Sequence, residues 1–323
     1  MGIEKIELVL ENLKTKDNFL IITHRNYDYD AFSSAFIMAF IFKKLNKKFF
    51  VFFDEEITEN LKNFINEVEN NIISKKEIND KKIENVVIVD SAQLDILMYN
   101  NEKFLKEKYI INIDHHETNQ NFGNINFVIP QAISTTNLIF YLAEKLDLID
   151  KKIAELILLG ILGDSLILTT NNVKKETFEI ILKLFNYEIN YFEIIKILTS
   201  LSYEDLLLEK ELIEKFKIID EKIGLLVIEN KYNKEKKSFI SYFKNYLNRI
   251  KNLEIIVILE EKENLIQVSL RSKNVDVGYL ALQYFNGGGH KNSAGGKLFM
   301  ELNEAINYSL KIIKEYLSNQ QIL

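Results

Sequence analysis

Short apolar runs that break off at an acid or a histidine constrain this chain more than any other feature. Phe19 to Thr23 is one such run, and the polar loop HRNYDYD follows it. Lys48 to Phe53, Asn85 to Val89 and Tyr109 to Ile113 are further runs of this kind. Runs so short and so continuously apolar suit buried parallel strands. Helical patterns fall between most of them, beginning with Asp30 to Lys44. Strand, polar loop, helix, repeated, predicts an α/β fold with a doubly wound, mostly parallel sheet. Ligands of such a sheet are expected outside the C-terminal ends of its strands.

A chain of 323 residues exceeds one ordinary core and suggests two domains. The helical stretch Ile153 to Leu162 leads to Asp164, and Lys174 to Lys217 is mostly helical. Beyond it, Ile223 to Glu229, Glu254 to Glu260 and Ile266 to Arg271 read as strands, with a helix expected over Phe239 to Lys251. The absence of cysteine excludes disulfides, thiolate metal sites and cysteine nucleophiles. No apolar run reaches the ~18 residues of a membrane span. The start, MGIEKIELVLENLKTK, reads as an amphipathic helix rather than a signal peptide, so a cytoplasmic location is expected. The net charge of −6 argues against coating of duplex nucleic acid.

The chemistry collects at the ends of the runs. The chain has four histidines, and three of them fall in two strand-end loops. The first loop carries His24, Asp28 and Asp30; the stretch INIDHHETNQ carries Asp114, His115 and His116. Asp90 ends VVIVD, and Asp164 lies in LLGILGDS, flanked by Gly160 and Gly163. A lone aspartate in such a place is usually a helix cap, and a lone buried histidine usually a hydrogen-bonded core residue. Together the set asks for more. Carboxylates gathered at the edge of a core repel one another unless cations neutralise them. Mixed carboxylate and imidazole donors suit Mn²⁺, Mg²⁺ or Fe²⁺, and the acids suffice for two ions bridged by a shared carboxylate.

A second cluster stands near the C-terminus. Six of the eleven glycines lie between Gly278 and Gly296. Gly287, Gly288 and Gly289 free backbone N–H groups to approach a phosphate, and His290 adds a donor. Arg271 is one of three arginines among 41 basic residues. An arginine retained in so lysine-rich a chain suits two-pronged phosphate binding, which lysine does not reproduce.

HRNYDYD, VIVD, IDHH and GILGDS resemble the four phosphoesterase motifs of the DHH family. VSLRSKNVDVGYLALQYFNGGGHKNSAGG resembles that family's C-terminal substrate domain, as found in its nanoRNase and 3′-phosphoadenosine 5′-phosphate phosphatase branch. The resemblance spans about residues 20 to 296. It implies a DHH catalytic domain over 1–190, a helical connector over 191–220 and a smaller α/β substrate-binding domain over 221–323, with the active site in the cleft between the domains. It also implies site roles. His24, Asp28 and Asp90 would hold one metal ion. Asp30, Asp90, His115 and Asp164 would hold the other. Asp114 would orient the imidazoles, and His116 would act on the scissile phosphate. Arg271, Gly287, Gly288, Gly289 and His290 would hold a second phosphate or the substrate terminus. Adjacent side chains on an extended chain point apart, so one histidine of the pair would take a metal and the other face the substrate.

The implied reaction is hydrolysis of short oligoribonucleotides, about two to five nucleotides long, to mononucleotides, and of 3′-phosphoadenosine 5′-phosphate to AMP, by water activated between two divalent ions. Manganese leads among the metals, with magnesium and iron as alternatives. A cyclic-dinucleotide phosphodiesterase, or a hydrolase of its linear product, is the alternative enzyme. A nucleotide-binding regulator without catalysis ranks below both. No stable duplex partner and no membrane are expected, and a homodimer is left open. Tyr27 and Tyr29 stand where the family commonly has proline and a small residue, so they either reshape the first loop and stack on a base or pack beneath it. KYNKEKKSFISYFKNYLNRIK is basic with interleaved aromatics, which fits a solvated helix face or a grip on single strands.

Overall fold

The computed structural model describes residues 3–25, 27–53, 56–229, 243–244 and 246–320. The chain divides into two compact units, Met1–Ser200 and Leu201–Leu323.

The first unit is built on one sheet. Its strands are β1 (Phe19–Ile22), β2 (Phe49–Phe52), β3 (Ile72–Ile73), β4 (Asn85–Val89), β5 (Tyr109–Asp114) and β6 (Ile125–Val128). They lie in the order β3-β2-β1-β4-β5-β6, and every pairing is parallel. From β1 the order runs to β2 on one side and to β4 on the other. That reversal opens a crevice at the C-terminal ends of β1 and β4. The helices are α1 (Ile3–Thr15), α2 (Tyr29–Lys44), α3 (Glu59–Ile65), α4 (Glu102–Lys106), α5 (Thr135–Lys145), α6 (Lys151–Asp164), α7 (Lys175–Leu184) and α8 (Tyr191–Thr199). Every residue of α2 from Asp30 to Phe42 is buried. A helix apolar on all sides has to lie inside the unit.

Glycine sets how closely the helices meet. A Cβ at Gly160 of α6 would stand 2.3 Å from Thr136 Oγ1 of α5 and 3.1 Å from Ser33 Cβ of α2. At Gly163 it would stand 2.6 Å from Tyr29 Cβ. These glycines let α6 lie against α2 and α5, and so bring Asp164 over Asp30.

The second unit holds α9 (Tyr203–Lys215), β7 (Lys217–Ile219), β8 (Ile223–Ile228), β9 (Ile255–Lys262), β10 (Leu265–Ser272), α10 (Val277–Tyr284), β11 (Gly288–His290), β12 (Ser293–Leu298) and α11 (Leu302–Gln320). Its sheet runs β11-β12-β10-β9-β8-β7, with β8 and β9 parallel and the other pairs antiparallel. Val257, Leu259, Val268 and Leu270 pack with residues of α10 and α11 on one face. Leu226, Ile256 and Ile258 pack with Leu208 and Leu212 of α9 on the other. Of the helix expected over Phe239 to Lys251, residues 239–242 and 245 lie outside the described residues, and 243–244 and 246–247 are helical. Among the described residues no helix is long and apolar enough to cross a membrane.

Candidate metal centre and substrate face

The C-terminal ends of β1, β4 and β5, the first turn of α2 and the last turn of α6 converge on one patch of acids and imidazoles. His24, Asp28 and Asp90 form one group whose donor atoms all lie within 4.8 Å of one another. Asp30, His115 and Asp164 form a second group within the same limit. Asp90 stands between them. Its Oδ2 lies 3.3 Å from His24 Nε2, and its Oδ1 lies 3.7 Å from His115 Nε2. His115 Nε2 also lies 3.6 Å from Asp164 Oδ2.

Local structure fixes each donor. Asp28 is the N-cap of α2, and its Oδ1 accepts from the backbone N–H groups of Asp30 and Ala31 at 3.0 and 2.9 Å. Asp30 accepts the backbone N–H groups of Thr135 and Thr136 at 2.7 and 2.8 Å, at the start of α5. A helix N-terminus favours such a carboxylate. Thr135 Oγ1 donates to Asp90 Oδ1 at 3.0 Å. Asp90 itself has a φ of 53°, left-handed backbone that aspartate tolerates better than most residues. Asp164 closes α6, and Leu166, Ile167 and Leu168 after it have φ of 48°, 58° and 61°. The buried Ser165 hydroxyl braces that left-handed turn, donating to the Ile161 carbonyl at 2.6 Å and accepting from Leu168 N–H at 3.1 Å. Three successive residues held this way store backbone strain of about 1–2 kcal/mol each beside the site.

The histidines separate by what their Nδ1 atoms bind. His24 Nδ1 lies 3.0 Å from the Arg25 carbonyl, and His115 Nδ1 lies 3.4 Å from the Ala132 carbonyl. Both rings therefore turn Nε2 toward carboxylates, as metal-ligating imidazoles do. His116 differs, with Nδ1 on Asp114 Oδ1 at 2.7 Å. Asp114 is fully buried, and its Oδ2 accepts from Asn119 Nδ2 at 2.5 Å. Asp114 thus orients His116, while the Ala132 carbonyl serves His115. Nor do the two rings point apart. They meet edge to face with centroids 4.9 Å apart, because both residues follow the end of β5 instead of continuing its alternation.

The electrostatics are those of too many acids in too little water. Burial, with the charges of Asp90 and Asp164, raises the Asp30 carboxyl well above its usual range. Burial, with Asp28 and Asp90, does the same to Asp164. Burial alone would push His24 down, but its hydrogen bond to Asp90 and the charges of Asp28 and Asp90 hold it up at about 9. His116 is likewise held at about 10, against burial, by Asp114. Without a cation, such a cluster would keep protons where a cation would serve. The donor set fits divalent ions with oxygen and imidazole ligands.

A pH dependence follows. His24 and His116 have folded values above the ordinary 6.5, so their stabilisation is complete below 6.5 and is lost as pH rises through about 9 and about 10. Raised Asp30 and Asp164 act with the same sign as they ionise. The chelator-treated chain should therefore melt at progressively lower temperature between about pH 6.5 and 10. Added Mn²⁺ should release protons and flatten that fall, because a bound cation replaces them. Calorimetry in buffers of different ionisation enthalpy measures the release. A melting temperature that rises with pH in chelator would sink this account.

The departures at the first loop resolve as packing. Tyr27 packs tilted against Phe53 with centroids 4.5 Å apart, and its hydroxyl donates to the Glu56 carbonyl at 3.1 Å. Tyr29 Oη donates to the Ile197 carbonyl at 3.2 Å.

Arg271, Gly287, Gly288, Gly289 and His290 fall in the second unit. Arg271 is half-buried near the end of β10, its Nη1 donates to the Leu270 carbonyl at 2.9 Å, and burial pushes it down to about 10. Arg271 opposes Ser293, and Ser293 opposes His290, so one rung of the sheet carries all three. Sequence reasoning missed Ser293, Thr135, Thr136 and Asn119. The capping signal Ser134, Thr135, Thr136 before an apolar run was available for the two threonines.

Residues 18–161 match the model of the DHH family N-terminal domain, and residues 224–319 match that of the DHHA1 domain. The chain belongs to the DHH family. As a DHH phosphoesterase it is a hydrolase of phosphoester bonds, and phosphoesterases of this family are metal-dependent. This DHH chain is 25% identical over 73% of its length, and 77% of the relative's, to a Streptococcus mutans protein named "probable bifunctional oligoribonuclease and PAP phosphatase". It is 26% identical to the bifunctional oligoribonuclease and PAP phosphatase of Thermus thermophilus, over 98% of this chain and 95% of that one. The crystal structure of an exopolyphosphatase-related protein from Bacteroides fragilis shares the fold, with a TM-score of 0.82, 23% identity and 98% of each chain covered.

Proposed function

We propose that this chain hydrolyses short oligoribonucleotides, of about two to five nucleotides, to mononucleotides, and 3′-phosphoadenosine 5′-phosphate to AMP, with two divalent cations of which manganese is the first candidate. The observation that carries this reading is the division of Asp90, one carboxylate oxygen toward His24 and the other toward His115. His24, Asp28 and Asp90 would hold one cation; Asp30, Asp90, His115 and Asp164 would hold the other. When bound, the cations supply a more acidic water and offset charge on the phosphoryl oxygens.

The chain's own residues do the rest. Asp114 holds the His116 ring by Nδ1, and His116 passes a proton to the leaving oxygen. Asn119 keeps Asp114 in place from the far side. Thr135 holds Asp90 at the oxygen nearer His115. Arg271 and His290, on one rung of the second sheet, grip a second phosphate or the substrate end. The names of the two relatives support the choice of substrates.

A product panel tests the reading. The chain with Mn²⁺ is incubated with 3′-phosphoadenosine 5′-phosphate, an RNA dimer, a five-mer, a longer RNA and a cyclic dinucleotide. Mononucleotides from the short RNAs and AMP from the bisphosphate are expected. Cleavage of the cyclic compound alone would replace this reading with signalling turnover.

A further inference from the structure

Exposed apolar side chains are unevenly spread over the first unit. Among its described residues, the large ones other than Leu8 all lie between Phe178 and Phe192, on α7, α8 and the turn that joins them. Thr177, Ile180 and Leu184 form the buried side of α7. Phe178, Leu182 and Phe185, spaced i, i+4, i+7, form a second stripe, and it is exposed. Tyr191 of α8 extends that stripe, its ring centroid 5.9 Å from that of Phe185.

The stripe stands on a fixed support. Glu176 accepts from Tyr141 Oη at 2.5 Å, and Glu144 accepts from Lys183 Nζ at 2.6 Å, so two ties hold α7 to α5. Docking on a surface held in this way costs little ordering.

Charge decides what fits. Lys175 lies seven residues before Leu182 and Glu188 six residues after it, each about 10 Å away along the axis. Both are exposed. Lys175 opens α7 and Glu188 follows its last turn, so each sits at the end of the helix dipole that disfavours its charge. The pair of Lys175 with Glu179, at 3.0 Å, offsets that only in part. An antiparallel copy of α7 reverses the field. Its C-terminal end lies beside Lys175, and its N-terminal end beside Glu188. Two such stripes are self-complementary, apolar in the middle with an ion pair at either end, as a two-fold interface requires. A lipid or nucleic-acid surface calls instead for a basic rim, which Glu179 and Glu188 do not give.

We infer that this stripe is the interface of a homodimer, in which α7 packs antiparallel on its copy across a two-fold axis at Leu182, with Lys175 facing Glu188 of the partner subunit. Leu182 is the most exposed residue of the stripe, at 72%, and a central position desolvates it most fully. The four apolar side chains present roughly 400 Å² per copy. With the charged rim, two copies bury about the 1,000 Å² that a specific interface needs. Burial of the stripe drives association, and the ion pairs, exposed at the rim, mainly set its register. An interface of this size gives a reversible dimer with a dissociation constant on the order of micromolar.

The test is sedimentation velocity of the full chain from about 1 to 100 μM. The native chain should pass from monomer to dimer in that range. Leu182→Asp should raise the dissociation constant at least about hundredfold, since a change on the axis enters twice. Lys175→Glu and Glu188→Lys should each raise it roughly tenfold. Lys175→Glu combined with Glu188→Lys should bring it back to within about threefold of the native value, because the pairs re-form with their signs exchanged. A merely structural role for these charges would lower the melting temperature of the dilute chain and leave association unchanged. Melting curves verify folding, and should Leu182→Asp fail to fold, the charge reversals decide. A native chain still monomeric at about 100 μM, a Leu182→Asp chain that dimerises like the native one, or charge reversals that the double variant does not rescue would each overturn the inference. Association needs neither metal nor substrate, so the outcome is independent of the hydrolytic reading.

Discussion

Replacing Asp90 with asparagine should lower turnover at least about 10⁴-fold, because it removes the one carboxylate turned toward both donor groups. Asparagine is the informative substitution. It keeps the volume and the oxygen that accepts from Thr135 Oγ1. It also tolerates the left-handed backbone at φ 53°, where alanine would add strain of its own. Manganese content and rate should fall together. His24→Ala, which touches one group only, should cost less, about 10²-fold. Metal analysis beside single-turnover rates separates the cases. An Asp90→Asn chain that kept both cations and a rate within tenfold of the native one would end the shared-carboxylate account.

The second large effect concerns His116. His116→Ala should lower turnover of short RNA by roughly 10²–10⁴-fold with manganese content unchanged, since its ring is committed to Asp114 through Nδ1. The loss should depend on the leaving group. A nitrophenyl ester departs without help from an acid, so its hydrolysis should suffer far less than that of RNA. Equal losses on both substrates together with lost manganese would make His116 a ligand and not an acid.

Much of this was legible because the decisive runs are short. Phe19–Ile22, Asn85–Val89 and Tyr109–Asp114 are mostly apolar and lead into chemistry, so their strands and the residues at and beyond their ends could be read together. Other strands gave no such signal. Ser293–Leu298 reads SAGGKL, and glycines there look like a turn, whereas the segment is held as a strand by pairing with β10. Ile125–Val128 reads INFV, and its asparagine keeps it from standing out after a polar stretch. At the site, carboxylates and imidazoles announced themselves by type. Their supports did not. Backbone N–H groups of Thr135 and Thr136, and the carbonyls of Arg25 and Ala132, act without side-chain identity. Lys244, buried in the second unit with its Nζ donating to Glu260 Oε2 at 3.1 Å, was hidden for another reason. Lysine is abundant here, and only tertiary packing distinguishes a buried one.

The donors of the first unit are scattered along the chain from His24 to Asp164, and the last of them is delivered by α6 lying against α2. On the ribosome this has a temporal meaning. Synthesis at about 5–20 residues per second separates the first donor from the last by on the order of ten seconds. During that interval the nascent chain exposes fragments of the set, such as His24 with Asp28, but never a complete one. Loading is therefore deferred until the sheet and both helices are in place. A divalent cation held by these donors would then act as a seal on a finished unit and would not trap a half-made one.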